Sequence, residues 1–248
     1  MDFLKMSYSA YECMLDNILA SKKYTDFSDA NSKDSFIVLR HDVEFSVDRA
    51  YTLSLIEQKR GIAASYFFQL TSNMYNVFSR KNISLIEKIL KMGHKIGLHY
   101  SEGDWGSVDD VVYDIKSQVS IFSNIVSVDR FSFHRPSKNI LKRNITIDGL
   151  INVYGDSFFT PCDCVTDDTP LHVKYISDSR HRWNYGHPTL ELFSKYKRVH
   201  ILVHPDTWTS DGLDNMRNFR ALMDENRVEF KESLVSECEH FKDGKNEF

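Results

Sequence analysis

Short unbroken apolar runs alternate with segments of helical apolar periodicity along most of the chain. That alternation predicts βα units and a parallel sheet, whose strands are buried on both faces and therefore read as continuous apolar stretches. The first run is Phe36-Ile37-Val38-Leu39, which gives way to Arg40-His41-Asp42. Further strands are predicted over residues 64–70, 95–98, 130–133, 151–154, 172–176 and 199–203. Helices are predicted over about 10–20, over 47–60 with Gly61 as a left-handed C-cap, and from Asn82 as N-cap to Gly93. Ser107-Val108-Asp109-Asp110 reads as a capping box with Asp in the Glu position, opening a helix to about 124. A C-terminal helix over about 213–241 closes the chain. With 5 prolines, 10 glycines and no repeat, low-complexity tract or linker, a single α/β domain over residues 1–248 is expected.

Composition narrows the class. The chain is 42% hydrophobic and 27% charged, an ordinary globular balance and enough for one large core. A net charge of -4, with Lys and Arg scattered among acids, gives no electrostatic case for nucleic acid. Residues 1–15 lack a basic region followed by a continuous apolar stretch, so no secretory signal is expected, and no apolar run is long enough to predict a transmembrane helix. Cys13, Cys162, Cys164 and Cys238 are too few and too scattered for a disulfide framework, which suits a reducing, cytoplasmic compartment. Cys162-Asp163-Cys164 lacks a second Cys or His pair and reads as two free thiols rather than a zinc site.

Polar residues recur where apolar runs end: His41 and Asp42, Gln69, His99, His134 and Arg135, Asp156, Asp178 and His204. In parallel α/β folds the carboxyl edge of the sheet is where functional groups gather. One carboxylate with two imidazoles is a common ligand set for a catalytic divalent metal with open positions for water and substrate. A hydrolase built on such an ion also needs a base and an acid. The residues offer candidates for every role without assigning them.

Leu39-Arg40-His41-Asp42-Val43-Glu44, residues 93–100 (GHKIGLHY), residues 131–137 (FSFHRPS) and residues 201–205 (ILVHP) resemble, in order, the motifs of the polysaccharide-deacetylase superfamily, the NodB-homology domain of carbohydrate esterase family 4. The resemblance runs from about Phe36 to Trp208 and is closest to a divergent branch often linked to surface-polysaccharide biosynthesis. It implies a distorted (β/α)7 TIM-like barrel that removes N- or O-acetyl groups from sugars with one divalent metal, most often Zn2+.

Carried over by position, the first motif puts His41 at the catalytic base and Asp42 at the metal. A second register makes Asp42 the base and Glu44 the ligand; the first is preferred, leaving Glu44 to contact substrate. In the second motif His99 matches one ligand, but the position of the other is Gly103, which cannot ligate. His134 is taken as its replacement, with Glu102 and Asp104 as runners-up and His94 as structural. Arg135-Pro136 resembles the motif whose Arg orients the base. Asp178 to Trp183 resembles the acidic and Trp segment walling the pocket, which puts Asp178 among the catalytic residues and Trp183, with Tyr100, among the substrate contacts. His204 matches the general acid. The implied function is acyl removal, N-acetyl foremost, from a sugar or polysaccharide precursor. Hydrolysis of another C–N bond (formyl, amidino or ureide) and a metal-free carbohydrate-binding barrel are the alternatives, the latter favoured by Gly103.

Overall fold

The computed structural model describes residues 5–103, 107–160 and 172–238. Strand β1 (Phe36–Val43) is buried at every position because it lies inside the sheet, paired with β2 (Ser65–Phe68) on one side and β7 (Arg198–Val203) on the other. Beyond β2 come β3 (Lys95–Ser101), β4 (Val128–His134) and the two-residue β5 (Ile151–Asn152); beyond β7 comes β6 (Val173–Ser177). All pairings are parallel, in the order β5-β4-β3-β2-β1-β7-β6. This is the expected α/β class, a distorted (β/α)7 barrel, here left open between its edge strands β5 and β6. Aromatic side chains bridge that seam: the Tyr154 ring lies 5.0 Å from Phe159, whose ring lies 5.2 Å from Tyr175 on β6.

Around the sheet run α1 (Tyr8–Ala20), α2 (Phe27–Ala30), α3 (Val47–Gln58), α4 (Arg80–Lys91), α5 (Val108–Phe122), α6 (Lys138–Lys142), α7 (Leu190–Lys195) and α8 (Asn215–Glu237). Ser7, Ser46, Ser79, Ser107, Ser137, Thr189 and Asp214 each accept the backbone N–H three residues on, opening seven of these helices. Each such cap is worth ~1 kcal/mol. Asn82, expected as a cap, lies inside α4, where its buried side chain donates to Asn76 O at 2.9 Å; Ser79 three residues earlier takes the capping role. The predicted end of the C-terminal helix beyond 238 lies outside the described residues, as do Asp104 and Cys162-Asp163-Cys164. Among the described residues no helix is long and apolar enough to cross a membrane.

Two close-packed points place the site. At the β3–β4 pairing the register shifts between Ile96 and Leu98, beside Gly97. A Cβ on Gly97 would lie 2.5 Å from the Phe67 ring and 2.8 Å from Arg130 Cγ, so only glycine lets these side chains close over β3. At the other edge of the site, Arg49 Nη1 donates at 2.6 Å to both Asp206 O and Asn218 Oδ1, pinning the 3-10 turn Pro205–Thr207 to α8.

Candidate functional site

Successive side chains on a strand point to opposite faces. Arg40 and Asp42 therefore face the barrel interior, while His41 faces the helices. His41, expected as the base, is placed away from the barrel interior: it is fully buried, its ring stacks on Tyr66 at 4.2 Å, and its Nε2 lies 2.6 Å from Glu57 Oε1 on α3. Tyr66 donates to the other Glu57 oxygen at 2.6 Å, and Tyr11 on α1 also donates to this carboxylate. Tyr100 follows the same rule. Adjacent to His99, it faces the other way, is fully buried against Phe133 at 5.9 Å between ring centroids, and is not a wall of the cavity described below.

Glu44, just past the end of β1, stands among imidazoles. Its Oε1 is 3.6 Å from His99 Nε2, 3.3 Å from His134 Nε2 and 3.8 Å from His204 Nε2. Glu44, His99 and His134 each present one ligand atom, all within 4.8 Å of one another. Asp42, expected as a ligand, lies outside that group on the other side of the His99 ring. His99 Nδ1 is 2.7 Å from Ser132 Oγ and 3.8 Å from Asp42 Oδ1, and Ser132 donates to Asp42 Oδ1 at 3.3 Å. With Nδ1–H donating to Ser132, the His99 lone pair sits on Nε2, which is buried and has no hydrogen-bond partner among the described residues. Such an orphaned acceptor is costly unless something fills its place. A divalent cation fits: two imidazole nitrogens and a carboxylate oxygen are a familiar donor set, and the Ser132 contact is the kind that orients a ligating His.

The charges agree. Burial pushes the Glu44 carboxyl up, but the facing imidazoles, the cationic His204 among them, outweigh it and hold the group below its ordinary value, ionised as a ligand must be. Burial, with His99 and Arg135 adding to it, keeps His134 below its ordinary value against the pull of Glu44, so its imidazole is the neutral, ligating form.

On the other side of Glu44, Asp178 is fully buried and accepts from His204 Nδ1 at 2.6 Å and Trp208 Nε1 at 2.8 Å. Burial alone would lower the His204 pKa; the charge and hydrogen bond of Asp178, aided by Glu44 and Asp206, raise it instead to about 10. His204 is thus a cation at neutral pH. Trp183, expected beside the sugar, packs 6.1 Å from Trp208 and does not line the cavity.

Asp42 is held at its second oxygen by Arg40, whose Nη2 lies 3.1 Å away and also donates to Tyr154 OH at 2.6 Å. Arg40, not Arg135, bonds Asp42, because Arg40 shares the inward face with Asp42 two residues on. Arg135 is exposed and lines the cavity. Glu102, a runner-up ligand, instead accepts from Ser137 N at 3.1 Å at the start of α6. His94 bonds backbone groups, accepting from Ala64 N at 3.0 Å.

Arg40, Ser132, Tyr154 and Asp206 were not picked out from the sequence. The period-two rule along β1 was enough to find Arg40, whereas Tyr154 follows a strand of two residues and carries no such signal. Asp42, Glu44, His99, Arg135, Tyr154, His204 and Asp206 line one cavity of about 780 Å³, shared with Tyr175, Arg180, His181 and Phe219.

Fold and site together describe a parallel barrel with a carboxylate–imidazole cluster, of a kind that could hold a cation, at the carboxyl edge of its strands. No protein-family model matches the chain, and no curated protein matches it. Among solved structures, the chain is similar to a chitin deacetylase from the fungal pathogen Colletotrichum lindemuthianum, at 19% identity and TM-score 0.33, over 39% of this chain and 44% of that one. It is also similar to a family 4 acetyl xylan esterase from Clostridium thermocellum in complex with a cobalt ion, at 13% identity and TM-score 0.38, over 68% and 73% of the two chains. A family 4 carbohydrate esterase from Bacillus anthracis matches at 11% identity and TM-score 0.35, over 87% and 84%. The chain thus spans less than half of the chitin deacetylase's length.

Proposed function

We propose that this chain is a divalent-metal-dependent hydrolase that removes an acyl group, N-acetyl foremost, from a sugar or sugar derivative. The observation carrying the proposal is the Glu44–His99–His134 cluster, whose orphaned His99 Nε2 faces an ionised carboxylate. The motif resemblance to polysaccharide deacetylases and the names of the similar structures point to the same chemistry. Glu44, His99 and His134 would hold the ion, zinc being a good match to the donors. When bound, a divalent cation acidifies water and polarises a carbonyl oxygen.

The remaining steps belong to the chain's own groups. Asp42 takes the proton of the attacking water, its two oxygens fixed by Ser132 and Arg40. His204 enters the reaction protonated and donates from Nε2 to the departing nitrogen, while Asp178 holds Nδ1 and sets the ring's direction. Asp178 then favours return of the proton to the imidazole.

The test is elemental analysis of protein purified without a metal-binding tag, followed by acetate release from N-acetylated sugars before and after chelation. About one zinc or similar ion per chain, with release lost on chelation, supports the proposal. Protein that neither carries nor takes up zinc, cobalt or nickel would overturn it.

A further inference from the structure

Taking the cavity as the substrate site, we infer that the substrate carries an anionic group, received by Arg135 and Arg180 at the cavity mouth. Arg180 follows the end of the edge strand β6, and Arg135 leaves the end of β4, one strand in from the opposite edge, so the two stand on opposite sides of the open seam of the barrel. Both line the same cavity as Glu44 and His99. Both are exposed, and among the described residues neither forms a hydrogen bond or ion pair.

The backbone presents them deliberately. Arg135 has φ +50°, Arg180 +62° and the adjoining His181 +58°. Side-chain-bearing residues rarely hold this left-handed conformation, and where they do, surrounding structure imposes it, often at ligand sites. Here the imposing contacts are visible. Asn184 Nδ2 donates to Ser179 O at 2.7 Å, and His181 Nε2 donates to Leu213 O at 2.7 Å, fixing the loop around Arg180. Behind Arg135, Ser137 is tied to Glu102 through both its N–H and its hydroxyl. The guanidinium groups therefore project from ordered loops, which lowers the ordering cost of binding.

The cavity's acids leave this positive charge unspent. Asp42 is paired with Arg40, and Glu44 faces three imidazoles. Asp206 has an unpartnered Oδ1, but burial pushes its carboxyl up to about 7, so it opposes an anion weakly. A guanidinium fork matches the oxygens of a carboxylate or phosphate two at a time. The ligand class is accordingly an acylated sugar bearing a phosphate ester or a uronate carboxylate.

Calorimetric titration separates these cases without requiring turnover. The probes are N-acetylglucosamine, its 1-phosphate, the corresponding N-acetylated uronic acid and inorganic pyrophosphate. The expected result is that an anionic sugar binds at least about tenfold tighter than the neutral one. Arg135→Gln and Arg180→Gln should each remove most of that gap while leaving the neutral sugar's affinity and the thermal midpoint unchanged. Tight binding of the phosphate alone identifies a phosphate ester, and of the uronate a carboxylate. Equal affinity for charged and neutral sugars, a gap that survives both substitutions, or no arginine-dependent binding of any anion, pyrophosphate included, overturns the inference. Arginine-dependent binding without acetate release would instead sink the hydrolase reading and leave this one standing.

Discussion

Asp178 and His204 are joined twice: Oδ1 meets His204 Nδ1 at 2.6 Å, and both carboxylate oxygens take the His204 backbone N–H at 3.0 Å. The side chain and the main chain of the proposed acid are thus oriented by one buried carboxylate. The protonated imidazole is stabilised by the fold, since its pKa rises from 6.5 to about 10. That contribution to stability is complete below pH 6.5 and is lost as pH rises through about 10. Asp178→Asn should pull the basic limb of the pH–rate profile to lower pH and flatten the alkaline loss of stability. A basic limb that stays in place in the variant would remove His204 from the acid role. His204→Ala should lower turnover by roughly 10²–10⁴ at unchanged metal content.

Substitutions on β1 and just beyond it separate the two possible assignments of its acids. Glu44→Gln should strip metal from the protein, because it neutralises the ligand atom nearest His134. Asp42→Asn should keep the metal and lose turnover, because that carboxylate sits behind the His99 ring on Ser132 and Arg40. Metal content measured on both variants decides; loss of metal from Asp42→Asn alone would restore Asp42 as the ligand.

Glu57 should matter to stability although it touches nothing in the cavity. Burial pushes its carboxyl up, but His41 and its hydrogen bonds overrule this and hold it below 4.5. Its contribution is therefore present above pH 4.5 and is lost as pH falls through the lowered value. Glu57→Ala leaves His41, Tyr11 and Tyr66 buried without their shared acceptor and should cost ~3–5 kcal/mol in urea unfolding at neutral pH. A cost under about 1 kcal/mol would show that the network relaxes without it.

Gly97→Ala should destabilise by ~1–3 kcal/mol through overpacking. The added methyl would press on Phe67 and Arg130, two residues before His99 on the same strand and face. Reduced metal affinity alongside the lower stability is the expected outcome, read by zinc titration of the folded variant.

The seven strands were legible because a buried parallel strand announces itself as an apolar run, as in Phe36 to Leu39, and so were the long helices α1, α3, α4, α5 and α8, whereas the short α2, α6 and α7 were not. The clustering of His99, His134 and His204 was legible for the same reason, each standing where such a run ends. The division of roles between Asp42, His41 and Glu44 was harder. Family position alone favoured His41 as base, but the period of two sends His41 and Asp42 to opposite faces, and that simple geometry outweighs positional analogy. Tyr154 and Asp206 act through tertiary contacts, with Arg40 on β1 and with Asn218 on α8, which no local pattern encodes.

Strand β1 carries one polar network on each side: Arg40 and Asp42 bonded to Tyr154 and Ser132 within the barrel, His41 bonded to Glu57 beneath the helices. A slip of one residue along the strand would exchange the two sets, thrusting an imidazole into the place of a carboxylate on one side and a carboxylate onto Glu57 on the other. Both faces would then hold buried polar groups with the wrong partners, so the misthreaded chain is penalised twice. The frame in which β1 is threaded is thereby proofread by charge as well as by shape, and a single-residue insertion or deletion between Phe36 and Glu44 would be far more damaging than any conservative replacement there.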